Sequence, residues 1–365
     1  MSRKLSYDLY LFGAAMVIVV VGLVMVYSAS ALIAAQKSGM ESPYFFLTRQ
    51  LIWLLAGGLA MLLVMHVDLS ILRDARIIYL LLGALAVLLV LVLFEQPING
   101  THRWFVFRGF QLQPSELAKP ILVLFLASYL AQKEERVNEL ATGLLPLLSV
   151  LVIICGLIVL QPDFGTAASL MFVAAALIFV AGLAWRKIMI ASFIFIPLVL
   201  TVLVAADYRR SRILTFLNPE ADPLGKGFQA MQSLIALGTG GLTGMGIGNG
   251  RQKLFFLPEP HTDFIFSIIG EELGFIGAAT LLMVFAFLVW RGVRIATRSN
   301  DRFAFYAALG LSLMIAVQVL INVSVAVCLL PTKGLPLPLV SYGGSSLVAT
   351  LLSIGLLLNF SQQSN

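Results

Sequence analysis

Charged side chains are scarce in this 365-residue chain: Asp, Glu, Lys and Arg make up 12% of it, against 60% hydrophobic residues. An ordinary soluble domain carries about twice that share of charge, and a mean hydropathy of +0.98 excludes one here. No nucleic-acid partner is expected of such a chain. Cysteine is nearly absent. Cys155 and Cys328 both lie in apolar runs, which leaves no basis for a disulfide framework or a metal cluster and assigns them to packing. Histidine is equally sparse: His66, His102 and His261 share no helix face, so no dedicated zinc site follows. There is no internal repeat and no inverted pair of interrupted helices, which weighs against a transporter architecture.

Long apolar runs fill the space that charge leaves. Windows of about 20 apolar residues predict about ten spans, at 9–29, 50–66, 77–94, 114–131, 144–160, 165–182, 187–206, 263–290, 303–330 and 339–359. The fold class expected is an all-α polytopic membrane protein, one integral-membrane domain over 1–365, with a large outer loop of about 207–262 between the seventh and eighth spans. Arg3 and Lys4 precede the first run and Ser28-Ala29-Ser30 faintly resembles a cleavage site. The run is long enough to span and others follow, so it reads as a retained helix. An even number of spans puts both termini on one side. The loops after even-numbered spans carry Arg73 and Arg76, Lys133 and Arg136, Arg186 and Lys187, then Arg291, Arg294, Arg298 and Arg302, so that side is cytoplasmic.

On this topology the outer side holds half of the 24 Lys and Arg. Arg209, Arg210, Arg212, Lys226, Arg251 and Lys253 fall in the long loop, and long loops translocate largely regardless of charge. An anionic ligand at the outer surface explains these cations, and attraction to anionic lipid headgroups is the alternative.

Four outer segments carry the remaining polar signal. In LPEPHTDFIFSIIGEELGF, 257–275, Pro258 and Pro260 keep the approach extended, and Thr262 or Asp263 can cap a helix beginning there. His261 and Thr262 flank Asp263, while Asp263, Ser267 and Glu271 share one helix face. Glu271 lies about 12 Å deeper than Asp263 at about 1.5 Å per residue, and with Glu272 it reads as a hydrogen-bonded structural group. Asp263 sits at the interface, where it can accept a proton from a substrate hydroxyl or serve only as a cap. Gly270, Gly274 and Ala278 repeat small residues at helix-packing spacing.

In FQLQPSELAKP, 110–120, Pro114 suits a helix start, and Glu116 and Lys119 are spaced to pair. Just before it, Arg103 can reach a phosphate, and Trp104 reads as an interfacial aromatic. Asp163 in LQPDFGTA, 160–167, is a helix cap or a member of the outer polar cluster. PTKGLPLPLVSYGGSS, 331–346, is irregular backbone at membrane depth, so it lines a cavity or is buried in protein. Lys333 is its cation, and Ser341, Gly343, Gly344 and Ser345 open the last helix with free N–H groups suited to an anion. The glycines of GTGGLTGMGIGNG, 238–250, mimic a nucleotide fingerprint without the βαβ frame one requires, so ATP or NAD binding is not expected. Together these segments suit a lipid-linked anionic substrate and transfer of a group away from a phosphate, with Asp263 as base. A carrier would need the cavity and the cations but no base.

These blocks resemble the SEDS family (shape, elongation, division and sporulation) along nearly the whole chain: LVMVYSAS at 23–30, QPSELAK at 113–119, QPDFGTA at 161–167, RQKLFFLPEPHTDFIFSIIGEELGF at 251–275 and LPTKGLPLPLVSYGGSS at 330–346. LPEPHTDF and GLPLPLVSYGGSS are most similar to the division branch. The resemblance implies a peptidoglycan glycosyltransferase that polymerises lipid II at the outer face of the bacterial cytoplasmic membrane, at the division septum. It puts Asp263 on the essential aspartate, taken as base toward the acceptor 4-hydroxyl, with undecaprenyl pyrophosphate leaving. Glu116 and Lys119 fall on the polar pair beside that aspartate, and Asp163 on the other acidic position. No tightly bound cofactor is implied; a divalent cation, magnesium or manganese, or the arginines would stabilise the leaving group. The implied partners are a class B penicillin-binding protein that switches the polymerase on and other membrane proteins of the division machinery. THRWF at 101–105 departs from the family pattern at His102. A lipid II flippase is the rival reading.

Overall fold

Apolar runs of this length become helices because hydrocarbon offers no partner for backbone N–H and C=O groups, so each segment satisfies its own. The computed structural model describes residues 6–36, 42–98, 100–107, 110–187, 189, 193, 227–254, 256–331 and 334–362. In chain order its helices are α1 (Leu9–Gln36), α2 (Phe45–His66), α3 (Ala75–Leu91), α4 (Pro114–Lys133), α5 (Leu145–Leu160), α6 (Phe164–Val180), α7 (Phe228–Gly240), α8 (Ile265–Arg298), α9 (Arg302–Ala326) and α10 (Gly344–Ser361). All but α6 and α7 belong to the eight helices among the described residues that are long and apolar enough to cross a membrane; α6 is apolar but shorter. These account for every expected span except the seventh, 187–206, nearly all of which lies outside the described residues together with the loop as far as 226. The all-α expectation holds apart from one antiparallel hairpin on the loop between α3 and α4, β1 (Phe105–Phe107) with β2 (Phe110–Leu112), in which Val106 faces Gln111.

The least apolar spans are the most enclosed. The spans built on α4 and α10 have mean hydropathies of 1.2 and 1.5 and are 78% and 83% buried, whereas that of α3 has 3.1 and is 28% buried. Lipid-facing surface must be apolar throughout, while the bundle interior tolerates polar groups that pair with one another. The start of α1 and the end of α10 lie together: the Asp8 N–H donates to Ser361 Oγ at 3.1 Å, and Arg291 Nε donates to Asp8 Oδ2 at 3.0 Å.

Of the boundaries that differ from the sequence reading, three bear on the outer site. α9 ends at Ala326 instead of 330 and α10 begins at Gly344 instead of 339, because the stretch between them is irregular and anchored by side chains. α8 begins at Ile265 with Phe264 as its N-cap residue, so Thr262 and Asp263 stand in the preceding turn and do not cap it.

The described second half of the outer loop packs against α8. α7 descends beside α8, with Ser233 Oγ 2.6 Å from Ser267 Oγ, and the glycine-rich turn that follows reaches a break in α8 at Gly274 (φ 69°). That break lies about 14 Å along the helix at about 1.5 Å per residue. It leaves backbone groups without helical partners, and the turn supplies them. Met245 N–H donates to Glu271 O and Gly246 N–H to Glu272 O, both at 3.0 Å, while Phe275 N–H donates to Gly241 O at 2.9 Å and Ile276 N–H to Leu242 O at 3.1 Å. The glycines thus serve backbone approach: a Cβ on Gly244 would lie 2.2 Å from Glu272 O, and one on Gly274 would lie 2.3 Å from Gly244 N. The small residue at Gly274, expected to pack one helix against another, instead admits this turn. Gly274→Val is expected to destabilise the protein by about 1–3 kcal/mol from its left-handed backbone alone, with the clash adding to it; thermal unfolding in detergent measures the loss, and an unchanged midpoint would contradict this account.

Candidate functional site at the outer surface

The outer polar segments meet through side-chain to backbone bonds. Asp263 is half-buried in the turn before α8, with its carboxylate against the irregular strand that follows α9: a Cβ on Gly334 would lie 3.0 Å from Asp263 Oδ2. The turn is held from two sides. Ser341 Oγ donates to Thr262 O at 2.6 Å, and the Tyr342 N–H donates to His261 O at 2.8 Å. The buried His261 ring sits between Phe46 of α2, 4.4 Å away between ring centres, and Tyr342 at 5.5 Å, with its Nε2 3.6 Å from Glu259 Oε2. Burial raises the Tyr342 hydroxyl above the ordinary phenol range, against a smaller opposing pull from Arg49, so it stays protonated at neutral pH.

A second cluster joins the starts of α4, α6 and α10. Asp163 is both things the sequence allowed. It caps α6 through the Thr166 N–H at 3.3 Å, and its Oδ2 accepts from Ser115 Oγ at 3.0 Å and Gln113 Nε2 at 3.1 Å. The Gln113 N–H donates to Ser345 Oγ at 2.9 Å, which ties this cluster to α10. One turn further along α4, Glu116 and Lys119 form the expected pair: the ammonium lies 2.7 and 2.8 Å from the two carboxylate oxygens, and both side chains are buried. Removing them from water together is tolerable only as a bonded pair.

Several expected ligand contacts are occupied by the protein itself. Arg103 directs its guanidinium at the carbonyls of Gln161 (2.9 Å) and Pro162 and pins the turn before α6, with Trp104 beside it, instead of standing open to a phosphate. Lys253 does not face a ligand; its ammonium lies 2.6 Å from Glu272 Oε1, 3.0 Å from Ser28 Oγ of α1 and 2.7 Å from Gly248 O, with the side chain 4% exposed. Glu271 accepts the backbone N–H groups of Arg251 and Gln252 at 2.7 and 3.2 Å, which makes it an anchor of the returning loop. Ser267 is engaged with Ser233. At the start of α10, where an anion site is expected, Ser345 Oγ donates to Gln111 O, the Gly343 N–H donates to Gln50 Oε1 at 3.4 Å, and Gly344 packs on the Trp53 ring. The side chain of Arg251 is exposed. Arg212 and Lys333 lie outside the described residues. Among the described residues no three of His, Cys, Asp and Glu are grouped to hold a metal ion, so no step is routed through one.

Two residues essential to this geometry escaped the sequence reading. Gln50, 1% exposed on α2, donates to Ser341 O at 3.2 Å, and Asn322, 2% exposed on α9, donates to Asp263 O at 3.0 Å and Leu335 O at 2.8 Å. Their signal was present, as each is an amide beside or within an apolar run, which hydrocarbon tolerates only with partners.

Residues 8–365 match the family described as Cell cycle protein, which groups FtsW, RodA and SpoVE. The chain belongs to this family. It is therefore a multi-pass membrane protein. It is 43% identical to the "Probable peptidoglycan glycosyltransferase FtsW" of Trichlorobacter lovleyi, over 98% of this chain and 94% of that one. It is 41% identical to the stage V sporulation protein E of Bacillus subtilis, over 100% and 99%. Among solved structures it resembles a chain of a peptidoglycan synthase complex that coordinates polymerization and crosslinking (TM-score 0.79, 33% identity, 99% of each chain covered). It also resembles the rod shape determining protein RodA of Thermus thermophilus (TM-score 0.71, 31% identity, 99% and 98% covered).

Proposed function

We propose that this family member is a peptidoglycan glycosyltransferase that polymerises lipid II into β-1,4 glycan strands at the outer face of the cytoplasmic membrane. The observation that carries this reading is the half-buried Asp263 carboxylate at the outer end of a span, against Gly334 and reachable from water. A carboxylate there accepts the proton of the acceptor 4-hydroxyl as the oxygen attacks the donor's anomeric carbon. The bond to undecaprenyl pyrophosphate breaks with inversion, and that anion departs. The Glu116–Lys119 pair and Asp163 stiffen the helix starts around it, and exposed Arg251 is the described cation available to the departing charge. The reading needs no resident cofactor; magnesium or manganese would arrive with the pyrophosphate.

A class B penicillin-binding protein is the proposed activating partner, supported by the likeness to a chain of a complex in which polymerization is coordinated with crosslinking. Site of action at the septum, alongside other division proteins, follows the division-branch relatives. Full-length likeness to a named glycosyltransferase favours polymerase over flippase. The deciding experiment is lipid II polymerisation in detergent, where both substrate ends are already accessible, by the purified chain with its partner's transpeptidase blocked. A polymerase makes glycan strands there; a flippase makes none.

A further inference from the structure

The Asp263 turn and the strand facing it are joined at one end by the Tyr342 to His261 backbone bond, and at Asp263 itself by a third element. Asn322 projects from α9, and its single amide nitrogen donates one hydrogen to Asp263 O at 3.0 Å and the other to Leu335 O at 2.8 Å. Leu335 directly follows Gly334, whose Cβ, if present, would stand 3.0 Å from the Asp263 carboxylate, and the Leu335 side chain fills the surface of Gly165 at the start of α6. One amide therefore fixes the separation of the two backbones at Asp263 and Leu335, beside the bonds that Ser341 and Tyr342 make to the same turn. It also links them to the helix start capped by Asp163. Only an NH₂ group can do this: each carbonyl needs a donor, and the two lie in different segments. The side chain is 2% exposed, so water cannot replace it, and leaving either carbonyl unpaired there is costly.

From this geometry we infer that Asn322 is the positioning residue of the transfer reaction: it acts through Asp263, fixing where the carboxylate stands relative to Gly334, and does not itself touch substrate. The inference rests on the reading of Asp263 as the base. A displacement of about 1 Å in a reacting group costs on the order of 100-fold in rate, and the affinity for a substrate held by the rest of the cavity is untouched by it.

Three variants test this in the complex with the crosslinking partner: Asn322→Leu, Asn322→Gln and Asp263→Ala, each assayed for lipid II polymerisation over substrate concentration and pH. Asn322→Leu is expected to lower kcat 10- to 100-fold (order of magnitude, about that of a misplaced base) with KM nearly unchanged, and to move the acid limb of the pH profile. Asn322→Gln, which keeps the NH₂ group, is expected to recover part of the loss. If the Leu variant loses activity only in proportion to lost folded protein, or if KM rises while kcat and the pH profile hold, Asn322 is merely structural and the inference fails. An active Asp263→Ala would sink the base assignment itself. A dead Asp263→Ala beside a fully active Asn322→Leu would sink only the positioning role.

Discussion

Asp263→Ala is expected to reduce lipid II polymerisation by about 100- to 10,000-fold, the range a general base contributes, while the protein folds and keeps its partner. Two features separate the loss of chemistry from loss of fold. Asp263 stands in a turn outside α8, whose N-cap residue is Phe264, so no helix cap is removed. The turn is also held through its backbone, by Ser341, Tyr342 and Asn322, and none of those bonds uses the Asp263 side chain. Thermal unfolding of the variant, measured beside the assay, reads any loss of fold separately from the loss of chemistry. Asp263→Asn sharpens the test, because it preserves shape and removes only basicity. Undiminished glycan strands from either variant would take Asp263 out of the chemistry and assign the proton transfer to another group.

Lys253→Met is expected to act in the opposite way, on the fold before the chemistry. The substitution strands Glu272, whose side chain is 0% exposed and whose carboxylate otherwise rests on the Lys253 ammonium, Ser28 Oγ and the Gly248 N–H. Breaking a buried pair from one side costs about 3–5 kcal/mol, and replacing both partners by neutral groups of similar size costs far less. The double variant Lys253→Met, Glu272→Gln should accordingly regain much of the stability that the single variant loses. Denaturant or thermal unfolding in the same detergent reads both. A double variant as unstable as the single one would mean that the ammonium anchors the loop through Ser28 and Gly248 and that its charge partner is incidental.

What the sequence disclosed divides along a physical line. Spans were legible because twenty apolar residues have few other fates, and the pairing of Glu116 with Lys119 because a buried charge close to its opposite has little choice. Asp163 could be narrowed only to a helix cap or a member of the polar cluster, because its partners are neutral groups on two elements. Partners across the bundle were not legible. Nothing local to Lys253 says that its ammonium meets Glu272 on another element, so its cation was assigned to a ligand; Arg103 misled in the same manner, its carbonyl partners lying on the turn before α6. The break in α8 was hidden because Gly274 fits a small-residue packing pattern as well as it fits a left-handed residue. The glycines of the turn mimic a nucleotide fingerprint, and hydropathy does not register backbone groups that satisfy one another. Gln50 and Asn322 were visible as amides in or beside apolar runs, but what each one ties together depends on tertiary geometry alone.

The turn that fills the α8 break is held by peptide groups, two carbonyls of the turn accepting from residues 275 and 276 and two of its N–H groups donating to residues 271 and 272. Its tolerance of change follows from that. Many side chains on its exposed rim can be exchanged without touching a single one of these bonds, whereas adding or deleting one residue between Gly241 and Gly246 would put every one of them out of step. Along this segment, length is constrained more tightly than chemical character, and a frame-preserving deletion would do more harm than a run of substitutions.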